Sequence, residues 1–212
     1  MNASGHRSRS VKTCRTWVSS LAACVLVAGG VVVTAPPASA KVCDGTSVPC
    51  AIGDTGPGGG IVFYDAGTRQ AWGRYLEAAQ DDLGGLWCKK GRDGWGRLVG
   101  IRLSIGSGRA NTEIIVQACG PDSAAGVAAA YRGGGKDDWF LPSIDELNAI
   151  FLQRKVVDAL ASGMFWSSSQ ARWREGREVP QAYTQHFIPN DKGRVIDMPK
   201  GLRLRVWPVR AF

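Results

Sequence analysis

The clearest pattern of apolar and polar positions lies between residues 136 and 169. Residues 138–141 carry three consecutive large apolar side chains that Pro142 ends, which predicts a short buried strand. Ser143 follows, with Glu146 three residues later, and this S-x-x-E spacing is typical of a capping box at the start of a helix. The pattern therefore predicts a strand joined tightly to a capped helix.

The predicted helix has one apolar face, because Leu147, Ile150 and Phe151 recur at i, i+3 and i+4. A strand with one heavy aromatic pair is predicted after it, over residues 165–169. These segments provide the expected core. The residues that we expect to be buried together are Trp139, Phe140, Leu147, Phe151 and Trp166.

Before this region the pattern predicts two strands, a loop and two short helical stretches. Residues 61–64 and 75–79 have strand composition and are expected to pair across the intervening loop. The glycine-rich run over 51–60 lacks the Lys-Ser/Thr of a phosphate loop and precedes a strand, which favours a hairpin turn. Residues 81–108 show little periodicity and are interpreted as a long ordered loop. Helical spacing then returns over 111–118 and 123–131, and the glycines at 133–135 are expected to end the second stretch.

The last forty residues alternate as a sheet does. A strand over 183–188 is expected to turn at 189–193 and to pair with residues 194–197. Residues 202–207 form the last predicted strand, which is expected to pair with the first strand and to bring the two ends of the domain together.

Three motifs in order carry a resemblance to a known family: DWFLPS-x-x-EL, WSSS and the terminal RVWPVRAF. They resemble a family of secreted bacterial domains associated with the C-terminal domain of collagen-like adhesins, over roughly residues 51–212. The resemblance implies an α+β fold similar to that of C-type lectins, with small antiparallel sheets flanked by two helices and long ordered loops. The resemblance to adhesin domains implies extracellular recognition. It does not determine an activity, because formylglycine-generating enzymes share that fold.

The first forty residues are predicted to be an export signal. A basic segment without acidic residues is followed by an apolar stretch over 17–33 and by the small-x-small pattern of Ala38 and Ala40. A retained membrane anchor and lipid attachment at Cys24 are the alternatives; the apolar stretch is nearly long enough for the first, and Cys24 lies too early for the second. We expect cleavage after Ala40 and a secreted, extracellular chain, with association to the cell surface left open.

Four cysteines remain after that cleavage: Cys43, Cys50, Cys88 and Cys119. In an exported chain they predict two disulfides, for which three pairings exist. Cys43 with Cys50 would close a small loop over 41–50, and Cys88 would then join Cys119. A metal site is the alternative, but no C-x-x-C occurs and His186 is the only histidine after residue 40, so we expect neither a metal nor a cofactor.

Positive charge is concentrated at the C-terminus. Residues 41–171 contain 13 basic and 14 acidic residues, whereas residues 172–212 contain 9 basic and 4 acidic residues. Within the basic part, Arg172-Trp173-Arg174 and Arg177 place an aromatic face between guanidinium groups, which can stack on sugars and bind sulfate or carboxylate. The alternative is a Trp packed under its loop among solvated arginines. The further candidate binding residues, with Lys200 close to them in sequence, are Lys192, Arg194, Arg203 and Arg205.

The sequence offers no set of catalytic residues. His186 alternates within a strand, and residues 167–169 lack the G-x-S-x-G context of a serine nucleophile. The Glu-Pro-Asn and Trp-Asn-Asp tripeptides of calcium-dependent lectins are absent, and no cysteine follows Cys119 as it would in the formylglycine-generating enzymes. We therefore expect a non-enzymatic binding or adhesion domain over residues 51–212. Its expected partner is an extracellular polyanion or glycan, or a surface protein. We expect it to bind no nucleic acid and, after cleavage, no membrane. The alternatives are an enzyme (an oxidase or a hydrolase) on the same fold and a structural module that assembles with itself into homo-oligomers.

The maturation hypothesis makes a direct prediction. The secreted protein should begin at Lys41 and contain no free thiol, because all four remaining cysteines are expected to be paired. Intact mass with and without alkylation measures both properties. A chain that begins at a lipid-modified Cys24, or that takes up alkylating reagent without reduction, would contradict the prediction.

Overall fold

The computed structural model describes residues 41–157, 162–171, 180–188 and 192–212. In this part of the chain strands and helices are mixed, and none of the helices is long and apolar enough to cross a membrane. The elements are β1 (Ile61–Gln70), β2 (Gly73–Ala78), β3 (Leu83–Leu86), α1 (Gly108–Cys119), α2 (Ala124–Ala129), α3 (Ile144–Leu152), β4 (Gly163–Gln170), β5 (Gln181–Phe187), β6 (Val195–Pro199), β7 (Arg203–Val206) and β8 (Val209–Ala211). The predicted α+β class is confirmed.

The strands form two sheets. One has the order β1-β2-β8 and is antiparallel throughout; the other has the order β3-β7-β4-β5-β6, in which β4 and β7 run parallel. The predicted pairing of residues 61–64 with 75–79 occurs as β1 with β2. The predicted pairing across the turn at 189–193 occurs as β5 with β6, although residues 189–191 lie outside the described residues.

The predicted pairing of the last strand with the first is wrong. Residues 203–206 form β7, which pairs with β3 and β4, and the separate strand β8 pairs with β2. Pro208 is the physical reason, because it has no N–H to continue the ladder and so separates the two strands. Trp207 anchors the crossing, since its Nε1 donates to the Ala79 oxygen at 2.7 Å. The two ends of the domain nevertheless meet, because Phe212 packs against the cluster that contains Cys43, Cys50 and Val62.

Three further predictions of elements differ from the structure. Residues 138–141 form no strand, only one bridge between Phe140 and Val209, because Pro142, two residues on, has no N–H to continue this ladder. The predicted loop over 81–108 contains β3. The glycines at 133–135 do not cap α2, which ends at Ala129, but form a 3₁₀ turn of their own.

The predicted capping box of α3 is confirmed in both directions. The Ser143 hydroxyl accepts from the Glu146 amide at 3.2 Å, and the Glu146 carboxylate accepts from the Ser143 amide at 2.7 Å. Neither residue has exposed surface. The cap therefore lies inside the protein, where an unsatisfied amide would have no water to bind.

The predicted core residues are all buried, but they are not buried together. Trp139, Phe140, Leu147 and Phe151 share one cluster with the aromatic residues of β4 and β5, whereas Trp166 lies in a second cluster with Trp87. The reason is the alternation of side chains along β4, which sends Phe165 into the first cluster and Trp166 into the second. Strand β4 thus separates two cores and is buried on both faces.

Both disulfides have the expected pairing. Cys43 joins Cys50 beside β1 and β2, and Cys88 joins Cys119 at the end of α1. The second bridge closes a loop of 31 residues and fixes the segment after β3 to the helix.

Replacing Trp166 by alanine should lower the free energy of unfolding by about 3–5 kcal/mol, because the side chain is completely buried and its removal leaves a cavity. Its Nε1 also donates to the Gly85 oxygen at 3.1 Å. Ser143→Ala, which removes one cap, should cost only about 1 kcal/mol. Denaturant melts measure both, and a Trp166→Ala variant as stable as the wild type would contradict the two-cluster description.

Candidate functional site

The basic residues predicted from the sequence fall into two groups. Arg172, Trp173, Arg174 and Arg177 lie in segment 172–179, outside the described residues. The remaining candidates lie on or beside β6 and β7. Among these, Lys192, Arg194 and Arg203 are exposed, and Arg205 is partly buried.

Arg205 contributes to the packing of the fold as well as to the surface charge. Its guanidinium forms a two-pronged ion pair with Asp82, donates to the Ser162 oxygen and lies 5.1 Å from the centre of the Phe165 ring. Arg203 reaches the Gly84 oxygen at 3.3 Å but stays exposed. Arg203, unlike Arg205, therefore has no acidic partner among the described residues.

Lys200 does not belong to the basic surface near which the sequence places it. Its side chain has no exposed surface, its Nζ donates to the oxygens of Gly94 and Gly96, and it lies 4.3 Å from the centre of the Trp87 ring. Burial lowers the pKa of Lys200 from 10.5 to about 7. The lysine thus holds the short turn at residues 93–95 against the second core cluster.

Two surface depressions lie on either side of the loop that follows this turn, and they meet at Gly100. The first, here called the Gln170 depression, has a volume of about 500 Å³ and is lined by Arg97 to Ile101, Leu103, Gln170 and Ala171. The second, the Trp72 depression, has a volume of about 470 Å³ and lies between Trp72, the loop and the outer side of α1. No acidic residue among those that the structure describes lines either depression.

Two amide side chains, those of Gln170 and Asn111, hold the loop in place. The Gln170 amide accepts from the Leu98 N–H at 2.8 Å and donates to the Gly96 oxygen at 3.1 Å. The Asn111 amide accepts from the Arg102 N–H at 2.9 Å and donates to the Arg102 oxygen at 2.7 Å. Side chains of β4 and α1 therefore hold the backbone of the loop through hydrogen bonds.

The serines at 167–169 complete this support. All three are fully buried. Ser169 donates its hydroxyl proton to the Arg102 oxygen at 2.9 Å, Ser168 accepts from Asn111 at 3.1 Å, and Ser167 donates to the Tyr183 oxygen at 2.7 Å. Since each hydroxyl is used in packing the loop and sheet, none is placed as a nucleophile.

The buried carboxylate of Glu77 is held by the glycine-rich turn before β1. It accepts from the amides of Gly58 and Gly60 at 2.9 and 3.0 Å and from Arg210 at 2.8 Å. Arg210 also pairs with Asp138. A Cβ at Gly58 would lie 2.7 Å from the Glu77 carboxylate, so the glycines are needed for close approach. The turn that resembles a phosphate loop thus binds an internal anion.

Glu146 is the second fully buried carboxylate. It accepts from the amides of Ser143 and Gly106 at 2.7 and 2.8 Å. Burial raises the pKa of Glu146 above its ordinary value, against the lowering effect of these backbone hydrogen bonds. Neither Glu77 nor Glu146 lines a depression, and in the described part of the chain no three His, Cys, Asp or Glu residues are grouped to hold a metal ion.

The exposed cations of the two depressions were not found from the sequence. Arg97 and Arg102 are exposed and form no side-chain hydrogen bond or ion pair with the described residues. The available signal was the ordered, non-periodic loop itself, since binding residues concentrate on loops. Which arginines of that loop lack a partner depends on the tertiary structure alone.

Among known proteins, no family model and no curated protein matches the chain. Its function therefore has to be inferred from the geometry of its own residues. The relevant features are the two depressions, which expose arginine side chains, and the loop between them, which the Gln170 and Asn111 amides hold.

Lys200 predicts how stability depends on pH. Because the pKa of Lys200 is about 7 in the folded chain and close to 10.5 when unfolded, the unfolded state binds more protons between these values. Stability should rise with pH from 7 towards 10, by at most about 1.4 kcal/mol per pH unit. Denaturant melts at several pH values measure the slope.

Lys200→Met should remove this slope, whereas Lys90→Met, a control at an exposed lysine, should retain it. A wild-type slope that is flat or negative would mean that the two carbonyls and the Trp87 ring keep Lys200 charged.

Proposed function

We propose that the chain is an exported, extracellular binding module that recognises acidic or sulfated glycans through its basic C-terminal part. One observation carries the proposal: Ala171, which lines the Gln170 depression, is bonded directly to the segment with Arg172, Trp173 and Arg174. The sequence therefore attaches its densest group of cations to a concave surface that already exposes Arg97 and whose described lining residues include no acidic one.

The chemistry of this surface suits a sulfated or carboxylated sugar. Guanidinium groups bind oxyanions with two parallel hydrogen bonds, and an indole face stacks on a sugar ring. Exposed Val99 and partly buried Leu98 and Ile101 add apolar surface for the ring face. Arg203 and Arg194 extend the positive charge along β7 and β6.

A C-type-lectin-like fold is part of the same proposal. Its support is a small antiparallel sheet that joins the first strand pair to the last strand, together with a long loop region braced by a disulfide. These features agree with the resemblance to adhesin domains that the three sequence motifs carry.

We favour binding over catalysis because of where the buried ionisable groups lie. Glu77, Glu146 and Lys200 are each saturated by backbone or arginine partners, and none of them lines the two depressions. A catalytic acid or base has to reach a substrate. The exposed functional groups of the two depressions are instead arginine, amide, hydroxyl and indole groups, which bind oxyanions and sugars.

Replacing Arg172, Arg174 and Arg177 by alanine should move elution from a heparin-like column to lower salt and leave the melting temperature nearly unchanged. Exposed charges are screened over about 8 Å at physiological salt, so retention should depend steeply on salt. The control removes three exposed cations elsewhere, with alanine at Arg69, Lys89 and Lys90.

Because both triple variants lower the net charge equally, only a site-specific effect separates them. If the control variant eluted as early as the C-terminal variant, or if the wild type were not retained, the polyanion site would be rejected. Arg97→Ala should act in the same direction as the C-terminal variant, with a smaller effect.

A further inference from the structure

The Trp72 depression lies outside the C-terminal surface and has a chemistry of its own. Its apolar side consists of Trp72, Ile105 and two residues of α1, Ala110 and Ile114. Ala110 and Ile114 stand one turn apart, on a side of α1 about 100° around the helix from the fully buried Asn111 and Ile115. Helix α1 therefore has a second apolar ridge, which the depression leaves open.

The depression also offers two hydrogen-bond donors that have no acceptor in the described part of the chain. One is the Trp72 indole N–H, held against Gly106, where φ is +84° and any Cβ would overlap the ring. The other is the Arg102 guanidinium. None of the described lining residues is a carboxylate, so an anion that enters the depression meets no repulsion from them.

The backbone of Arg102 is fixed more firmly than that of an ordinary surface residue. Both of its backbone polar groups bind the buried Asn111 amide, and its oxygen also accepts from Ser169. Holding the backbone of an exposed cation in this way lowers the entropy that a ligand must offset when it orders the side chain.

Arg102 also differs from the other arginines that border the core. Arg74, Arg205 and Arg210 are each paired with a carboxylate, by Asp65, Asp82 and Glu77 respectively. Arg102 has no such carboxylate partner among the described residues. The surface beside it is apolar. The volume of about 470 Å³ lies within the range of small-molecule sites.

We propose that the Trp72 depression binds a small carboxylate attached to an apolar ring or branched chain. The carboxylate pairs with Arg102 and accepts from the Trp72 indole, and the hydrocarbon part packs on Ile105 and Ile114. This site does not depend on the glycan surface, because a small apolar acid has neither the charge density nor the length of a polyanion. The same chemistry occurs in free aromatic acids and at the C-terminus of a peptide that ends in an apolar residue.

The test uses phenylacetate as the probe and the whole secreted chain as the protein, with binding followed by NMR at the Trp72 indole N–H. Phenylacetate should bind and shift that signal. Acetate, which lacks the ring, and phenylacetamide, which has the ring without the charge, should each bind about tenfold more weakly. Equal binding of phenylacetamide would overturn the proposed role of Arg102.

Arg102→Gln should weaken phenylacetate about tenfold, because it removes one charge-assisted hydrogen-bonded pair. Arg92→Gln, at an exposed arginine that lines neither depression, is the matched control and should bind as the wild type does. Trp72→Phe should weaken binding less than Arg102→Gln, because it retains an aromatic ring and loses only the N–H donor. Melting temperatures equal to that of the wild type establish that each variant is folded.

N-acetylphenylalanine distinguishes the two sources of the ligand. If it binds as phenylacetate does or more weakly, the site takes free apolar acids; if it binds at least about tenfold more tightly, the added amide is recognised and the source is a peptide C-terminus. Absence of a shift at the Trp72 signal with either probe, or an Arg102→Gln variant that binds as tightly as the wild type, would reject the site.

Discussion

The buried carboxylate of Glu77 is the interaction on which most of the fold depends. It has no exposed surface and lies on β2, the middle strand of the three-stranded sheet, where Arg210 of β8 stands directly opposite. The amides of Gly58 and Gly60 bind its other side, and Arg210 also holds Asp138. One charge thus joins the turn before β1, the last strand and the segment that leads into α3. Because a buried charge that loses its partner costs about 3–5 kcal/mol, these distant segments have to assemble together.

Strand β4 plays the corresponding role for the surface. Its aromatic residues fill two cores from opposite faces, while Ser169 and Gln170 bind the backbone of the loop at residues 96–102. Asn111 on α1 completes the support from the other side. Buried polar groups need partners, and here the partners belong to a loop without regular structure. The stability of the core is therefore coupled to the shape of both depressions, and the loop can expose arginines without being disordered by them.

The division of the arginines explains why net charge alone is a poor guide to the binding surface. Arg205 and Arg210 contribute to the basic C-terminal count but are paired with acidic residues, and Lys200 is enclosed by backbone oxygens. Arg97 and Arg102 come from the part of the chain whose charges balance, yet they line the two concave surfaces. A charge count along the sequence weighs these residues equally, whereas binding depends on which guanidinium groups lack a partner and lie beside a cavity.

The sequence by itself determined the features that depend on neighbours in the chain. The capping box at Ser143, the β1–β2 hairpin, the strand at 165–169 and the Cys43–Cys50 disulfide follow from local spacing, because their partners are fixed by short-range geometry. The Cys88–Cys119 disulfide follows only as the pairing that remains once Cys43 joins Cys50. Only the tertiary structure decided the rest. Pro208 sends β7 and β8 into different sheets, and residues 138–141 make only a single bridge to β8. The alternation of β4 between two cores, the burial of Lys200 and the exposure of Arg102 each depend on residues far away in the chain, and long-range contacts leave no period or motif in the sequence from which they can be read.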